Sequence, residues 1–222
     1  MRNEKFEFTG ETKEYFGRTL HRIRAVKDFG NVSAGDLGGW VEKIDNINVY
    51  GNAWVSGNAR VYGNAWVSGN ARVSGDARVY GNAEVSGNAW VYGNTWVSGN
   101  ARVSGDARVY GDAEVSGNAG VYGNTWVSGN ARVSGDAEVY GDAEVYERKQ
   151  LMVITPIGSE DGTLTVFRTK DSGIAVKRGC FSGSLAEFEA AVAKRHGDSD
   201  YGKEYQAVIE LIKLRFKAGV EV

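Results

Sequence analysis

Hydrophobic and polar positions follow a six-residue period through the middle of the chain. The phrase Val-(Ser/Tyr)-Gly-(Asn/Asp)-(Ala/Thr)-x runs without interruption over residues 49–144 and gives sixteen hexapeptides. This period is neither helical nor heptad, and a meander of hairpins does not require a small residue at a constant offset. The pattern predicts a coil of short strands in which each Val points inward, its two neighbours point outward, and the Ala packs inside a tight corner.

A glycine followed by Asn or Asp stands at the third and fourth positions of every hexapeptide. This pair is typical of turn backbone with a positive φ. Three strands and three turns close one triangular coil, so the array forms a little over five coils, or roughly 25 Å of rod at ~4.8 Å per strand. Turn chemistry explains the aspartates better than metal binding does, so no metal site is predicted at Asp76, Asp106, Asp112, Asp136 or Asp142.

The amino-acid composition excludes several classes of protein and of binding partner. The 31 glycines occur without a collagen period, a single proline is present, and 42% of the residues are hydrophobic, which excludes collagen and disordered spacers. The 26 basic and 28 acidic side chains leave no excess positive charge for a nucleic-acid partner. The start lacks the apolar segment of a cleaved signal, and no apolar run is long enough to span a membrane. The lone Cys180 agrees with a reducing compartment, so we expect a cytoplasmic protein. No cofactor is expected.

The hexapeptides resemble those of the hexapeptide-repeat superfamily, in which an aliphatic residue is followed four positions later by a small one. This resemblance implies a left-handed parallel β-helix. Many members are acyltransferases that use a histidine as general base and an inserted loop to build the active site. In this chain His21 and His196 both lie outside the array, and the array has no inserted loop. The resemblance therefore implies a fold more strongly than an activity.

Residues 1–36 are predicted to form an N-terminal β cap, with alternating Phe6 and Phe8, a turn at Gly10 and a second strand over residues 20–26. The phrase Ala-Gly-Asp-Leu-Gly-Gly-Trp-Val-Glu follows at residues 34–42. It resembles the opening phrase of a group of poorly characterised bacterial and phage hexapeptide proteins. Leu37 and Val41 fit the hexapeptide register, so we expect the β-helix over residues 37–146, as about five to six coils with one irregular unit at residues 43–48.

Residues 147–222 are predicted to form a C-terminal ββ(β)αα cap, an α+β unit that covers the open end of the rod. The expected strands are residues 151–157, 163–168 and 174–177. Ser184 and Glu187 form a capping box that opens a helix through about His196, and Gly197 is its expected stop. A second helix is expected over residues 201–217, because Tyr205, Val208, Ile209, Ile212 and Phe216 are spaced to bury one face.

A longer duplication overlies the hexapeptides. Residues 66–95 and 96–125 are identical at 28 of 30 positions, and the two differences are Asn82/Asp112 and Trp90/Gly120. Thirty residues are one and two-thirds coils, so equivalent tryptophans of successive copies are expected on different faces of the rod: Trp66, Trp96 and Trp126. Since each unit contacts mainly its neighbours, tandem duplication lengthens the rod without disturbing its core.

One predicted face of the rod alternates Trp and Arg at eighteen-residue spacing, and we call it the Trp/Arg face. Guanidinium groups stacked between indoles one coil apart form a cation–π ladder, with each exposed contact worth about 0.5–1 kcal/mol. Three interpretations stay open: a self-sufficient stabilising ladder, a subunit interface, or a platform for a planar or anionic ligand. The candidate ligand or interface residues are Trp54, Arg72, Trp90, Tyr92, Arg108, Tyr110 and Trp126.

Cys180 and His196 are the weak candidates for nucleophilic catalysis. A single cysteine beside Phe181 is typical of a small core residue, and the sequence offers no third group to orient a base. We therefore expect a non-enzymatic β-helix scaffold or binding protein that forms a homo-oligomer, with a trimer favoured. Two alternatives stay open: a phage- or prophage-type protein that sequesters a small anionic ligand such as a nucleotide, and an acyltransferase-like hexapeptide enzyme.

Overall fold

The computed structural model describes residues 4–217 and consists of a parallel β-solenoid between two caps. The N-terminal strands are β1 (Phe6–Tyr15), β2 (Arg18–Ala25) and β3 (Leu37–Val41), followed by a 3-10 turn at Ile44–Asn46. The solenoid strands, which together with their corners we call the rod, are β4 (Trp54–Val55), β5 (Arg60–Val61), β6 (Trp66–Val67), β7 (Arg72–Val73), β8 (Arg78–Val79), β9 (Glu84–Val85), β10 (Trp90–Val91), β11 (Trp96–Val97), β12 (Arg102–Val103), β13 (Arg108–Val109), β14 (Glu114–Val115), β15 (Gly120–Val121), β16 (Trp126–Val127), β17 (Arg132–Val133), β18 (Glu138–Val139) and β19 (Glu144–Val145).

Each strand of the rod from β4 to β16 pairs in parallel with the strand eighteen residues later, as Trp54 pairs with Arg72 and Val55 with Val73. Three sheets result, one on each face. The Trp/Arg face has the order β4-β7-β10-β13-β16-β19, and a second face has the order β6-β9-β12-β15-β18. The remaining sheet continues from the N-terminal strands in the order β1-β2-β3-β5-β8-β11-β14-β17, and we call it the hairpin face. The predicted parallel β-solenoid of eighteen-residue coils is confirmed.

The core of the rod is built from one Val and one small residue per hexapeptide. Every Val at six-residue spacing from Val55 to Val145 is fully buried, and so are the alanines of the corners. Thr95 and Thr125 replace Ala at two corners, and their hydroxyls donate 2.6 Å hydrogen bonds to the carbonyls of Tyr92 and Tyr122. These bonds satisfy polar groups that would otherwise be costly to bury.

The corners require glycine for two reasons. Gly105 has a φ of +73°, a conformation that side chains with a Cβ rarely adopt. A Cβ at Gly105 would also lie 2.8 Å from the backbone nitrogen of Gly123 on the next coil. The corners of successive coils therefore stack backbone against backbone, which explains why the hexapeptide never varies at this position.

Asparagine side chains form ladders along the corners. Asn70 Nδ2 donates to Asn88 Oδ1 at 3.0 Å, and Asn88 Nδ2 donates to Asp106 Oδ1 at 3.0 Å. The longest ladder runs from Asn64 through residues 82, 100 and 118 to Asp136. Turn chemistry alone did not predict these side-chain bonds, which add a second hydrogen-bonded stack outside the backbone one.

The N-terminal cap differs from its prediction at Gly10. That residue has a φ of +91° but lies within β1, at the register shift between Phe8 and Thr12, so it forms a bulge and the predicted turn there is wrong. The chain instead reverses at Phe16 and Gly17, both with positive φ. A longer hairpin results, and Phe6 from its first strand belongs to the same buried cluster as the first coil of the rod.

The register at the start of the rod is also corrected. Leu37 is 58% exposed, and Val41, not Leu37, takes the inward position by pairing with Val61, twenty residues later. Ile47 pairs with Val67 at the same spacing, while Val49 is 37% exposed. Val41 and Ile47 are six residues apart, as in a regular hexapeptide, but Ile47 and the next inward residue, Val55, are eight apart. The two extra residues of the first coil therefore lie between Ile47 and Val55, after the 3-10 turn, and they shift the register.

The C-terminal cap contains four strands and two helices. The strands are β20 (Leu151–Ile157), β21 (Gly162–Arg168), β22 (Ile174–Arg178) and β23 (Phe181–Ser184), which form one antiparallel sheet after a 3-10 turn at Arg148–Gln150. The helices are α1 (Leu185–His196) and α2 (Asp200–Phe216). Ser184 and Glu187 form the predicted capping box, and Gly197 ends α1. The fourth strand was not predicted, because Phe-Ser-Gly-Ser has no strand pattern and is held by pairing with β22.

The sheet of this cap closes the end of the rod. Phe167 and Leu151 belong to the buried cluster of the rod, and the ring of Phe167 meets that of Tyr140 edge to face at 5.3 Å. Ala143 forms an antiparallel bridge with Thr169, and Lys170 N donates to Asp142 O at 2.9 Å. The helices pack on the opposite side in a separate cluster that contains Phe188, Tyr205 and Ile209.

The structure explains one of the two differences between the thirty-residue copies. A Cβ at Gly120 would lie 2.3 Å from the ring of Tyr122, so the tyrosine ring covers this glycine. The equivalent tyrosine of the first copy, Tyr92, instead stacks on Tyr110 with the centroids 5.0 Å apart, and that leaves room for Trp90.

Candidate binding faces of the rod

The Trp/Arg face contains one complete stack of the predicted kind. Arg108 lies between Trp90 and Trp126, with its Cζ atom 5.5 Å and 5.2 Å from the two ring centroids. The register of β10, β13 and β16 brings these side chains together, since each strand lies beside the next in the sheet. Tyr92 and Tyr110 stack beside this group with their rings parallel to within 1°.

The beginning of the same face is arranged differently. Arg72 pairs in register with Trp54 and Trp90, yet it stacks on neither ring. A groove of about 370 Å³ opens here, lined by Trp54, Ser56, Arg72, Ser74, Trp90 and Tyr92. The predicted ladder is therefore not continuous along the face.

Trp54 does not belong to an exposed ladder. It is only 5% exposed, because the rings of Phe6 and Phe29 pack against it edge to face at 6.4 Å and 5.4 Å. The N-terminal cap fixes this indole as the end wall of the groove. Trp90, which is 45% exposed, forms the accessible aromatic wall.

The hairpin face holds a larger cation–aromatic cluster that the sequence did not predict. Lys13 Nζ lies 3.8 Å from the Trp40 ring, and Arg60 Cζ lies 4.5 Å from the Tyr15 ring. Further along this face Arg78 stacks on Trp96 at 4.9 Å. Lys13 and Tyr15 belong to the hairpin, outside the repeat, so the eighteen-residue spacing of the hexapeptides does not predict where they lie. Their positions two residues apart in one strand place both side chains on the same side of it, and this was the signal in the sequence that they could act together.

Lys13 makes this cluster sensitive to pH. Removal from water, and then the charges of Arg60 and Arg22, lower the pKa of Lys13 to about 8. Burial likewise lowers the pKa of Lys5 to about 8. Between pH 8 and the ordinary lysine pKa of about 10.4, the unfolded chain therefore binds more protons than the folded chain, and the free energy of unfolding rises with pH. Burial raises the pKa of Tyr62 to about 12, which reverses the trend above pH 10.

We expect Lys13→Met to remove about half of the rise in stability between pH 8 and pH 10. The full rise is less than about 1 kcal/mol, because solvent screens a group that is this accessible. Urea unfolding midpoints at the two pH values measure it. Lys149→Met, which changes an exposed lysine paired with Glu147, is the control. An unchanged rise in Lys13→Met would assign the pH dependence to other groups.

The two weak catalytic candidates line a single cavity in the C-terminal cap. Cys180 is exposed in the turn between β22 and β23, so the expected core position for this cysteine is wrong. Both Cys180 and His196 border a cavity of about 450 Å³ between α1 and the β22–β23 turn. The imidazole of His196 packs on the Tyr205 ring at 5.4 Å, and no side-chain hydrogen bond orients it within residues 4–217. His21, the other histidine, stacks flat on Phe8 at 4.4 Å. These contacts give both histidines packing roles.

Residues 4–217 contain no group of three or more His, Cys, Asp or Glu side chains placed to hold a metal ion. No helix in the same range combines the length and the apolar character needed to cross a membrane.

Comparison with known proteins agrees with the rod. The family model described as the YdcK beta solenoid repeat matches residues 53–69, 65–81, 71–85, 77–93, 97–111 and 101–115. The matches form two overlapping groups, over residues 53–93 and 97–115, and both lie within the rod, so the chain is similar to that family in its repeats. No curated protein sequence matches the chain. The match and the three parallel sheets that form the faces of the rod together identify a β-solenoid repeat protein. The left-handed winding of the β-helix, which the hexapeptide resemblance implies, stays a prediction.

Proposed function

We propose that this protein is a non-enzymatic β-solenoid scaffold that assembles with itself through lateral contacts, as a homotrimer. The observation that carries the proposal is the stack of Trp90, Arg108 and Trp126 beside paired tyrosines on one lateral face. Exposed tryptophan and arginine are the side chains most enriched at the centres of protein interfaces.

The ends of the rod support lateral assembly over end-to-end assembly. At one end Phe6 and Phe29 cover Trp54, and at the other Phe167 covers the last coil. Covered sheet ends do not template further strands. Three rods packed around a common axis bury the aromatic stack of each copy without requiring a free end.

The exposed thiol of Cys180 supports a reducing compartment, and we propose the cytoplasm as the location of the scaffold.

The mass in solution tests the proposal. Size-exclusion chromatography with light scattering at micromolar concentration is expected to give three times the chain mass of 24.0 kDa. Arg108→Glu removes both cation–π contacts and places a carboxylate against the electron-rich faces of Trp90 and Trp126, so we expect monomers. A monomeric native protein at tens of micromolar would contradict self-assembly.

Arg102→Glu is the matched control, since Arg102 is an exposed arginine at the equivalent strand position on another face, in register with Glu84 and Gly120. It makes the same change of charge away from the stack and is expected to leave the trimer intact. Equal dissociation of the two variants would mean that net charge, and not the Trp/Arg face, governs assembly.

A further inference from the structure

The Trp/Arg face contains the order Trp–Arg–Trp twice. In strands β10, β13 and β16 the arginine fills the space between the indoles. In strands β4, β7 and β10 the same three residue types stand in the same register, but the arginine leaves that space open. Arg72 makes no ion pair, hydrogen bond or cation–π contact with any residue from 4 to 217, although it is half-buried.

The residues beside the two sets explain the difference. Tyr92 and Tyr110 flank the second set, and their stacked rings cover its side. Ser56 and Ser74 hold the corresponding positions in the first set, and their short side chains leave the groove of about 370 Å³. The groove thus follows from two serines at positions where the next coils carry tyrosine.

The lining of the groove is both aromatic and cationic. Trp90 offers an exposed ring face, while Trp54 is held in place by the N-terminal cap. Arg72 is the sole charged residue among the six that line the groove, and no carboxylate opposes it. Its guanidinium fork is suited to a carboxylate or phosphate, and the two serine hydroxyls add further hydrogen-bonding groups. The volume lies in the range of small-molecule sites.

We propose that this groove binds a small molecule in which a planar aromatic ring is joined, directly or through a short linker such as a sugar, to an anionic group. The ring stacks on Trp90, Tyr92 forms a side wall, Trp54 closes the end of the groove, and the anion pairs with Arg72. Self-assembly is not required, because the anion-binding residue, Arg72, lies outside the stack of Trp90, Arg108 and Trp126. Trp90 belongs to both features: Arg108 pairs with it on the β13 side, and the ligand takes the β7 side.

Isothermal titration calorimetry of the full chain tests the site with AMP and 2-naphthoate as probes. Adenosine supplies a ring without an anion, and inorganic phosphate supplies an anion without a ring. We expect at least one of the two probes to bind with a dissociation constant below about 1 mM, and adenosine and phosphate to bind at least about tenfold more weakly. No binding of either probe at 1 mM, or phosphate binding as tight as that of the probe, would overturn the proposal.

Two variants locate the binding. Arg72→Ala is expected to weaken it by about tenfold or more, because it removes the charged hydrogen bonds to the anion. Ser74→Tyr fills the groove with the residue found on the next coil and is expected to abolish binding while Arg72 is retained. Arg102→Ala, on another face, is expected to leave the affinity within about twofold. Binding that survives both groove variants would place the ligand elsewhere.

Light scattering on the same samples separates this site from self-assembly. Arg72→Ala is expected to lose the ligand and keep the trimer, whereas Arg108→Glu is expected to lose the trimer. Loss of the trimer in Arg72→Ala would instead make Arg72 an interface residue and overturn the independent ligand site.

Discussion

Gly105→Ala is expected to destabilise the rod by about 2–5 kcal/mol. A non-glycine residue in the left-handed region costs about 1–2 kcal/mol, and a steric overlap in a packed site adds about 1–3 kcal/mol. Gly105 incurs both costs, since its φ is +73° and its new Cβ would lie 2.8 Å from the backbone of Gly123. The overlapping atoms belong to the main chain of the next coil, so a side-chain rotation cannot relieve the contact. Urea unfolding followed by circular dichroism measures the loss.

Gly135→Ala separates the two costs. Gly135 has nearly the same φ, +66°, but a Cβ there would have no atom within 4 Å, because the rod has no further coil above it. We expect this variant to lose only the conformational part, about 1–2 kcal/mol. If the two substitutions proved equally destabilising, the close approach of the coils would not be what excludes side chains from the corners.

Phe167→Ala is expected to destabilise the protein by about 3–5 kcal/mol and to make the rods associate through their C-terminal ends. Truncation of a buried phenylalanine loses its burial and leaves a cavity. Phe167 is fully buried and joins the cap sheet to the last coil, so its loss also uncovers the inward valines of that coil. An uncovered sheet end then pairs with another copy. Unfolding midpoints measure the first effect, and sedimentation velocity measures the second.

Phe216→Ala is the control for this variant. Phe216 is also buried, but it belongs to the cluster between the helices and the outer side of the cap sheet. Its truncation is expected to lower stability while the end of the rod stays covered. Association to the same extent in both variants would show that general destabilisation, and not exposure of the last coil, drives the contact.

Where the sequence repeats, it predicts the structure residue by residue. Each strand of the rod has two residues, of which one points inward, and the six-residue period identifies that residue as Val. The glycine of each hexapeptide predicts a positive φ, which the corner glycines adopt. The helix that begins after Ser184 was equally predictable, since its capping box and Gly197 are local signals.

The remaining features depend on contacts that a linear pattern does not record. Val49 matches the hexapeptide phrase but lies outside the core, because Ile47 takes the inward position and the step from Ile47 to Val55 has two extra residues. The groove at Arg72 depends on two short side chains, Ser56 and Ser74, where the next coils have tyrosine, and on the N-terminal cap that buries Trp54. The eighteen-residue columns predicted which residues share the Trp/Arg face but not the break in its ladder at Arg72, since stacking depends on the neighbours on both sides of each arginine.

The asparagine ladders give the rod a chemical polarity. In every ladder bond the donor belongs to the residue eighteen positions earlier, and each ladder ends at an aspartate: Asp106, Asp112, Asp136 or Asp142. A carboxylate only accepts, so it closes a ladder and cannot continue one in this direction. Growth of such a rod by duplication is therefore directional, because a new hexapeptide with asparagine extends a ladder and one with aspartate sets its length.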